Sequence, residues 1–447
     1  MGKKVYGLSK LIILGEIESL WSFIVSGFTL GGALGSIMCP FFSERFGRKI
    51  SLIIAAFMMI VASTLQAAAK PLDLYEIFTL GRFVAGVSSG FSSSLLCVFL
   101  SEISPRDLRG FSGGFQEIFI CLGKVFSQIF SLDYLLGNPV LWPYLVAIPV
   151  LPSAVMILLL PLIPESPKFL RAKRPETDLK RSIIFYHGPK ENVAAVVKEI
   201  DEELQVITQS LSLRDILRSK VFRYCLILAV VVRLGQEFTG ITAIFNFSTS
   251  IMEEIGFSSE FAKYNTIGIA GMSAMVTICA VFLVEHIGRR PIFVYGLLGD
   301  LVCDVAFMTL ALIFRHYGYH WAGYFCIALL YLHVFIFSMG PGPVGWLIVP
   351  EFIPQVARSG ITSVGVFTNW ISNLFITAVF LPLKFVIREW SFMMLIVPLA
   401  VCVTFLFFKL PETRNRRVDE IALGIAGVSS SEAAELVNTV SKSTLAT

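Results

Sequence analysis

Charge is what this 447-residue chain has least of. Only 15% of it is Asp, Glu, Lys or Arg, against about 25% in an ordinary soluble domain. That scarcity excludes a soluble multidomain enzyme and a disordered chain. Catalytic vocabulary is equally thin, with no nucleophile–base pair and no phosphate loop in a credible context, so neither enzyme activity nor a cofactor is expected. Histidines number five. His316 and His320 have helical spacing but no third ligand, so no metal site is expected. The eight cysteines (Cys39, Cys97, Cys121, Cys225, Cys279, Cys303, Cys326, Cys402) show no CxxC or zinc-like spacing and fall inside apolar runs. They read as small buried hydrophobes rather than a disulfide framework. The net charge of +4 is too small for a nucleic-acid binder. Leu11–Leu14, broken off by Glu16 and Glu18, is too short for a signal-peptide core.

What the chain does have is apolar length. Hydrophobic residues make up 55% of it, with Phe at 39 positions, gathered in runs of about 20 residues that match a hydrocarbon core of about 30 Å. Eleven helices are predicted, over about 22–42, 50–69, 76–99, 111–131, 141–163, 224–250, 264–284, 292–314, 323–349, 361–382 and 391–409. Barrel strands are excluded because the runs do not alternate. The fold class is therefore an all-α polytopic membrane protein. One connection is long: 164–223 is polar, with helical periodicity near Asn192–Ile207 and Ser212–Leu217.

Lys and Arg placement orients the spans. One set of alternate connections carries Arg45, Arg48, Lys49, Arg106, Arg109, the basic segment from Lys168 to Arg223, Arg289, Arg290, Arg358 and Arg414, Arg416, Arg417. The other carries only Lys70, Lys263, Arg315, Lys384 and Arg388. The positive-inside rule puts the first set, the long segment and the C-terminus in the cytoplasm.

Three cytoplasmic motifs occur twice in the same order. Arg45-Phe46-Gly47-Arg48-Lys49 is echoed by His286-Ile287-Gly288-Arg289-Arg290, and Glu102-Ile103-Ser104-Pro105 with Arg109-Gly110 by Glu351-Phe352-Ile353-Pro354 with Arg358-Ser359-Gly360. Pro164-Glu165-Ser166-Pro167 is echoed by Pro411-Glu412-Thr413-Arg414. Matching order across the long segment indicates a duplicated bundle, a transporter architecture with its site between the halves. The expected organisation is a short N-terminal segment (1–20), an N-terminal half of five spans (21–163), a cytoplasmic linker (164–223), a C-terminal half of six spans (224–410) and a cytoplasmic tail (411–447). An odd span number with a cytoplasmic C-terminus predicts an extracellular N-terminus.

These pairs, with Gly81-Arg82-Phe83, Gln236-Glu237-Phe238-Thr239-Gly240-Ile241 and Gly340-Pro341-Gly342-Pro343, resemble the sugar porter family of the major facilitator superfamily. Ser248-Thr249-Ser250, Asn369-Trp370 and Leu141-Trp142-Pro143 bring the chain near the animal facilitative glucose transporters. The resemblance runs from about Leu20 to Ala422. It implies a two-half bundle of twelve helices with the first not represented here; without that helix one wall of the cavity would stand open, so weak or absent transport by the isolated chain is expected. It also implies a hexose or related polyol as substrate, a plasma-membrane location and transport by alternating access. The alternatives are a non-transporting sensor of the same fold, or a carrier of another organic or anionic solute.

Physical reasoning and resemblance agree on a cytoplasmic gate. Arg48 or Lys49, Glu102, Arg109 and Glu165 would form the network of the first half. Glu285, Arg289, Arg290, Glu351 and Arg358 would form that of the second. For the substrate site the resemblance implies Gln128, Gln236, Trp346, Asn369, Trp370 and Asn373. Glu117, Glu237 and Thr242 are expected at the same site although they depart from the family pattern, as do Arg233, Ser273 and Ser338. Arg233 and Glu237, four residues apart, would either neutralise each other or face the ligand. Asn369 and Asn373 would otherwise serve as interhelical hydrogen bonds, and Trp346 as an interfacial anchor. Lys124 lies mid-span two turns beyond Glu117. Asp300 and Asp304 share one face of the eighth span, with no partner evident and no family counterpart.

Overall fold

In lipid a backbone must satisfy its own hydrogen bonds, and this chain does so with helices. A computed structural model describes residues 2–413, apart from 106–108, 174–175, 190–191, 209–212, 255 and 354. The tail expected at 411–447 therefore lies outside the described residues beyond Thr413. The first bundle comprises α1 (Gly2–Phe46), α2 (Arg48–Leu72), α3 (Tyr75–Ile103), α4 (Arg109–Phe130), α5 (Trp142–Ala147) and α6 (Val150–Leu159). Four short helices follow: α7 (Pro167–Lys173), α8 (Glu176–His187), α9 (Val193–Thr208) and α10 (Leu213–Arg218). The second bundle comprises α11 (Lys220–Phe238), α12 (Ile241–Glu254), α13 (Ser259–Ile287), α14 (Arg289–Tyr317), α15 (His320–Met339), α16 (Pro341–Phe352), α17 (Gln355–Ile387) and α18 (Met393–Lys409).

Among the described residues, ten stretches are long and apolar enough to cross a membrane. Together with α4, which at 22 residues is about 33 Å long at about 1.5 Å per residue, they coincide with the eleven expected spans. Three spans are interrupted. The expected 224–250 is α11 and α12, separated at Gly240 with φ +81°. The expected 323–349 is α15 and α16, separated at Gly340. Pro149 separates α5 from α6 within Trp142–Leu162. At the amino end, helical backbone runs unbroken from Gly2, where a separate segment 1–20 was expected. Glu16 and Glu18 end an apolar run, but charge does not end a helix.

Small residues let α1 and α3 touch backbone to backbone. A Cβ on Gly86 would strike Phe28 O, and one on Gly90 would strike Gly32 O, the close approach that stands in for a hydrophobic drive in membranes. The bundles meet along α1 with α17 and α4 with α13. Ser22 Oγ donates to Thr377 O at 2.8 Å, and the Trp370 ring lies against Gly32 and edge-on to Phe28 at 6.3 Å. Cys121 Sγ on α4 is 3.6 Å from Thr277 Oγ1 on α13. The linker helices have a small core of their own, Leu170, Leu179, Ile183, Val196 and Ile200, clamped by Arg171 donating to Asp201 at 2.7 and 3.0 Å.

Candidate functional site

Breaks in membrane helices are tolerated only where protein or water covers the backbone. Here a side chain covers one of them. Gln236, near the end of α11, donates from Nε2 to Pro341 O (3.2 Å) and Gly342 O (3.0 Å) at the start of α16. Gly345 makes the room, since a Cβ there would sit 2.8 Å from the Gln236 amide carbon. The interruptions at Gly240 and Gly340 are thereby brought together around one amide.

Glu237 organises the other side. Its carboxylate accepts from Asn369 Nδ2 at 2.7 Å, Asn373 Nδ2 at 3.3 Å and Thr242 Oγ1 at 3.1 Å. Asn373 Nδ2 also reaches Thr242 Oγ1 at 3.0 Å. Asn369 and Asn373, one turn apart on α17, thus face the α11–α12 break, and their amides hold helices together while presenting polar edges at one spot. Arg233 does not pair with Glu237, although the four-residue spacing allowed it. It donates from Nη1 to Gln236 Oε1 at 3.0 Å and lays its guanidinium 3.9 Å from the centroid of the Trp346 ring. The side chain is 1% exposed, so the ring supplies what a counter-ion otherwise would. Trp346 is accordingly an internal residue, not an interfacial anchor.

Six of the expected substrate residues, Gln236, Glu237, Thr242, Trp346, Asn369 and Asn373, thus form one connected group. Glu117 and Gln128 stand apart on α4, both half-buried, with Glu117 3.9 Å from Cys121 Sγ. Lys124, between them, lies 4.6 Å from the centroid of the Phe245 ring on α12 and so bridges the bundles beside Thr242. Trp370 packs between α1 and α17 rather than in this group. Ser273 and Ser338 bond each other at 2.8 Å.

At one end of each bundle the duplicated motifs fold alike. Arg48 donates to both Glu102 oxygens at 2.9 and 2.7 Å, and Ser166 Oγ donates to the same carboxylate. Glu165 accepts from Lys49 N at 3.1 Å and Ser166 N at 2.8 Å, closing the start of α2. Burial pushes its carboxyl above the usual carboxylate range, against these N–H donors and the Arg48 charge. Lys49 turns away to Pro161 O and Ile163 O. In the second bundle Arg289 donates to Glu351 at 3.3 Å, Thr413 Oγ1 to Glu351 at 2.6 Å, and Glu412 accepts from Arg289 N (3.1 Å) and Arg290 N (3.2 Å). Arg290 donates to Phe407 O, and Arg358 to Ile353 O. The side chains of Arg109 and Glu285 lie outside those described. Glu412, Ser166 and Thr413 were missed as network members, although the repeated Pro-Glu-Ser/Thr motif carried the signal.

Comparison with known proteins places this geometry. The family model "Sugar (and other) transporter" matches residues 7–423. The chain is 33% identical over 413 residues to facilitated glucose transporter member 3 of Ovis aries, covering 92% of this chain and 83% of that one. It is 33% identical over 420 residues to member 1 of Gallus gallus, covering 94% and 85%. The fold superposes on a partially occluded, inward-open xylose transporter XylE from E. coli with a TM-score of 0.75 at 21% identity, covering 90% of each chain. With the family model and these relatives in agreement, this chain belongs to the sugar transporter family.

Proposed function

We propose that the protein carries a hexose or related polyol passively across the plasma membrane, by rocking two bundles about a site between them, with its C-terminus in the cytoplasm. The observation that carries this reading is the convergence of Gln236, Asn369, Asn373 and Trp346 on two broken helices. Amides answer sugar hydroxyls with directed hydrogen bonds, and an indole offers a flat apolar face to a ring. The half-buried Glu117 and Gln128 extend the same polar surface from α4, with Glu237 and Thr242 completing it. The cytoplasmic networks of Arg48, Glu102 and Glu165 and of Arg289, Arg290 and Glu351, with Lys49, Arg109, Glu285 and Arg358 at the same ends, serve as the gate. Their charge also orients the chain in the bilayer.

Exchange of labelled glucose into vesicles holding the purified protein tests the reading, and saturable, competable flux is expected. Gln236→Ala and Asn373→Ala each weaken glucose binding by about 1–3 kcal/mol, since each leaves a sugar hydroxyl unpaired. Flux that never saturates, or an unchanged affinity with both amides removed, would sink the proposed site.

A further inference from the structure

Asp300 and Asp304 find their partner in His333 on the neighbouring helix. The two aspartates, one turn apart on α14, are 0% and 4% exposed, and His333 on α15 is 2% exposed. His333 Nδ1 lies 3.3 Å from Asp304 Oδ1 and 3.8 Å from Asp300 Oδ1. Both Asp300 oxygens, Asp304 Oδ2 and both His333 nitrogens are buried without a hydrogen bond. Glu237 accepts three hydrogen bonds and Arg233 stacks on Trp346.

Counting charge shows what the cluster lacks. Two ionised carboxyls beside a neutral imidazole leave two negative charges, and an imidazolium still leaves one. Neither is tolerated in protein at hydrocarbon depth, where an ion without a partner neutralises instead. Two protons over the three groups make the cluster neutral. No neighbouring cation does so. The charged groups acting on Asp300 are His333 and Asp304, and the one acting on Asp304 is His333, with the Cys303 thiol beside them on α14. Other elements packed on α14 include α11, α13, α16, α18 and the turn Arg388–Phe392. Among the described residues they add no charged group to those acting on the two aspartates.

We propose that Asp300, Asp304 and His333 form a proton-binding site within the second bundle. A proton held there joins α14 to α15 by turning a carboxylate into a donor. His333 lies two turns before the Gly340 break, beyond which Pro341 and Gly342 hold Gln236. Loss of the proton leaves two carboxylates one turn apart on α14, removes the donor that joined α14 to α15, and loosens the arm that carries the polar group described above.

Infrared difference spectra of the full chain in lipid nanodiscs test this without any sugar. A protonated-carboxyl band is expected at neutral pH and is lost when Asp300→Asn and Asp304→Asn are combined. The wild-type unfolding temperature falls as pH rises above neutrality, and the double variant, uncharged at both positions, flattens that fall. His333→Gln, which removes the cation and keeps both carboxyls, moves the loss of the band upward by about one pH unit or more, a tenfold change in proton concentration. A band that survives the double substitution, or a titration of the band unmoved by His333→Gln, overturns the proposal.

Discussion

The two networks at the bundle ends are built from the same motifs, yet they are not equally closed. In the first bundle Arg48 grips Glu102 through two nitrogens, with side chains 15% and 8% exposed. In the second, Arg289 reaches Glu351 through one nitrogen at 3.3 Å, with side chains 17% and 32% exposed. A bidentate pair shut away from water has no alternative partner, whereas a single contact beside solvent exchanges readily with it. Duplication has thus preserved the circuit and divided its strength. In the proposed gate the first network is the fixed clasp and the second the one that opens at smaller cost.

The sharpest way to break that comparison is to remove each glutamate in turn. Glu102→Ala takes the carboxylate from the Arg48 guanidinium, which keeps its bond to Ser43 O at 3.1 Å, and deprives Ser166 of its acceptor, a loss of about 3–5 kcal/mol for a buried pair. Glu351→Ala leaves Arg289 half-solvated and costs about 1 kcal/mol or less. Denaturation of the purified variants in lipid, followed by glucose exchange, reads both. Equal losses would mean that the two clasps are equivalent and that the difference in exposure is without consequence.

A smaller difference is expected at the glycines that start α2 and α14. Gly47 has φ +95° and Gly288 φ +109°, backbone that only glycine adopts without strain, so alanine costs about 1–3 kcal/mol at either position. The surroundings then separate them. A Cβ on Gly47 would run into Glu165 Oε2, and one on Gly288 would sit 3.1 Å from Glu412 Oε2. Gly47→Ala is therefore the more damaging, by about 1 kcal/mol of overpacking, as unfolding temperatures will register. The reverse order would mean that Glu165 moves more freely than its packing implies.

Apolar run length and the repeated motifs were sufficient to give the fold class and the span positions, because a bilayer imposes a length on every crossing. Exact partners were less legible. The spacing of Arg233 and Glu237 allowed a pair, and only packing decided that Trp346 and Gln236 take the arginine while Asn369 and Asn373 take the glutamate. Asp300 and Asp304 showed a shared face, but His333 lies on another helix and one-dimensional spacing does not report it. Trp370 carried a family signal for the substrate site, yet its ring is spent on Gly32. The missing Cβ that accommodates it belongs to a helix in the other bundle. Glu412 stood in plain view within a repeat, and its role became evident only when Gly288 placed the start of α14 against it.

The finest test of the divided clasp lies in its two hydroxyls. Ser166 Oγ and Thr413 Oγ1 occupy equivalent places, each donating to the carboxylate that also receives the arginine. Ser166 is fully buried, whereas Thr413 is 5% exposed and its acceptor Glu351 is open to solvent. Removing a hydroxyl that donates to a charged group costs about 1.5–3 kcal/mol where nothing replaces it. Ser166→Ala falls in that range, because Glu102 has no water to turn to. Thr413→Val keeps the shape of the side chain and costs about 0.5 kcal/mol or less, since water reaches Glu351 and takes the vacant place. Combining Ser166→Ala with Glu102→Ala should add little to the loss from Glu102→Ala alone, because the hydroxyl acts through that carboxylate. A full additive loss would show that Ser166 has a separate role, perpendicular to the clasp, in holding α7 through its bond to Phe169 N at 3.5 Å.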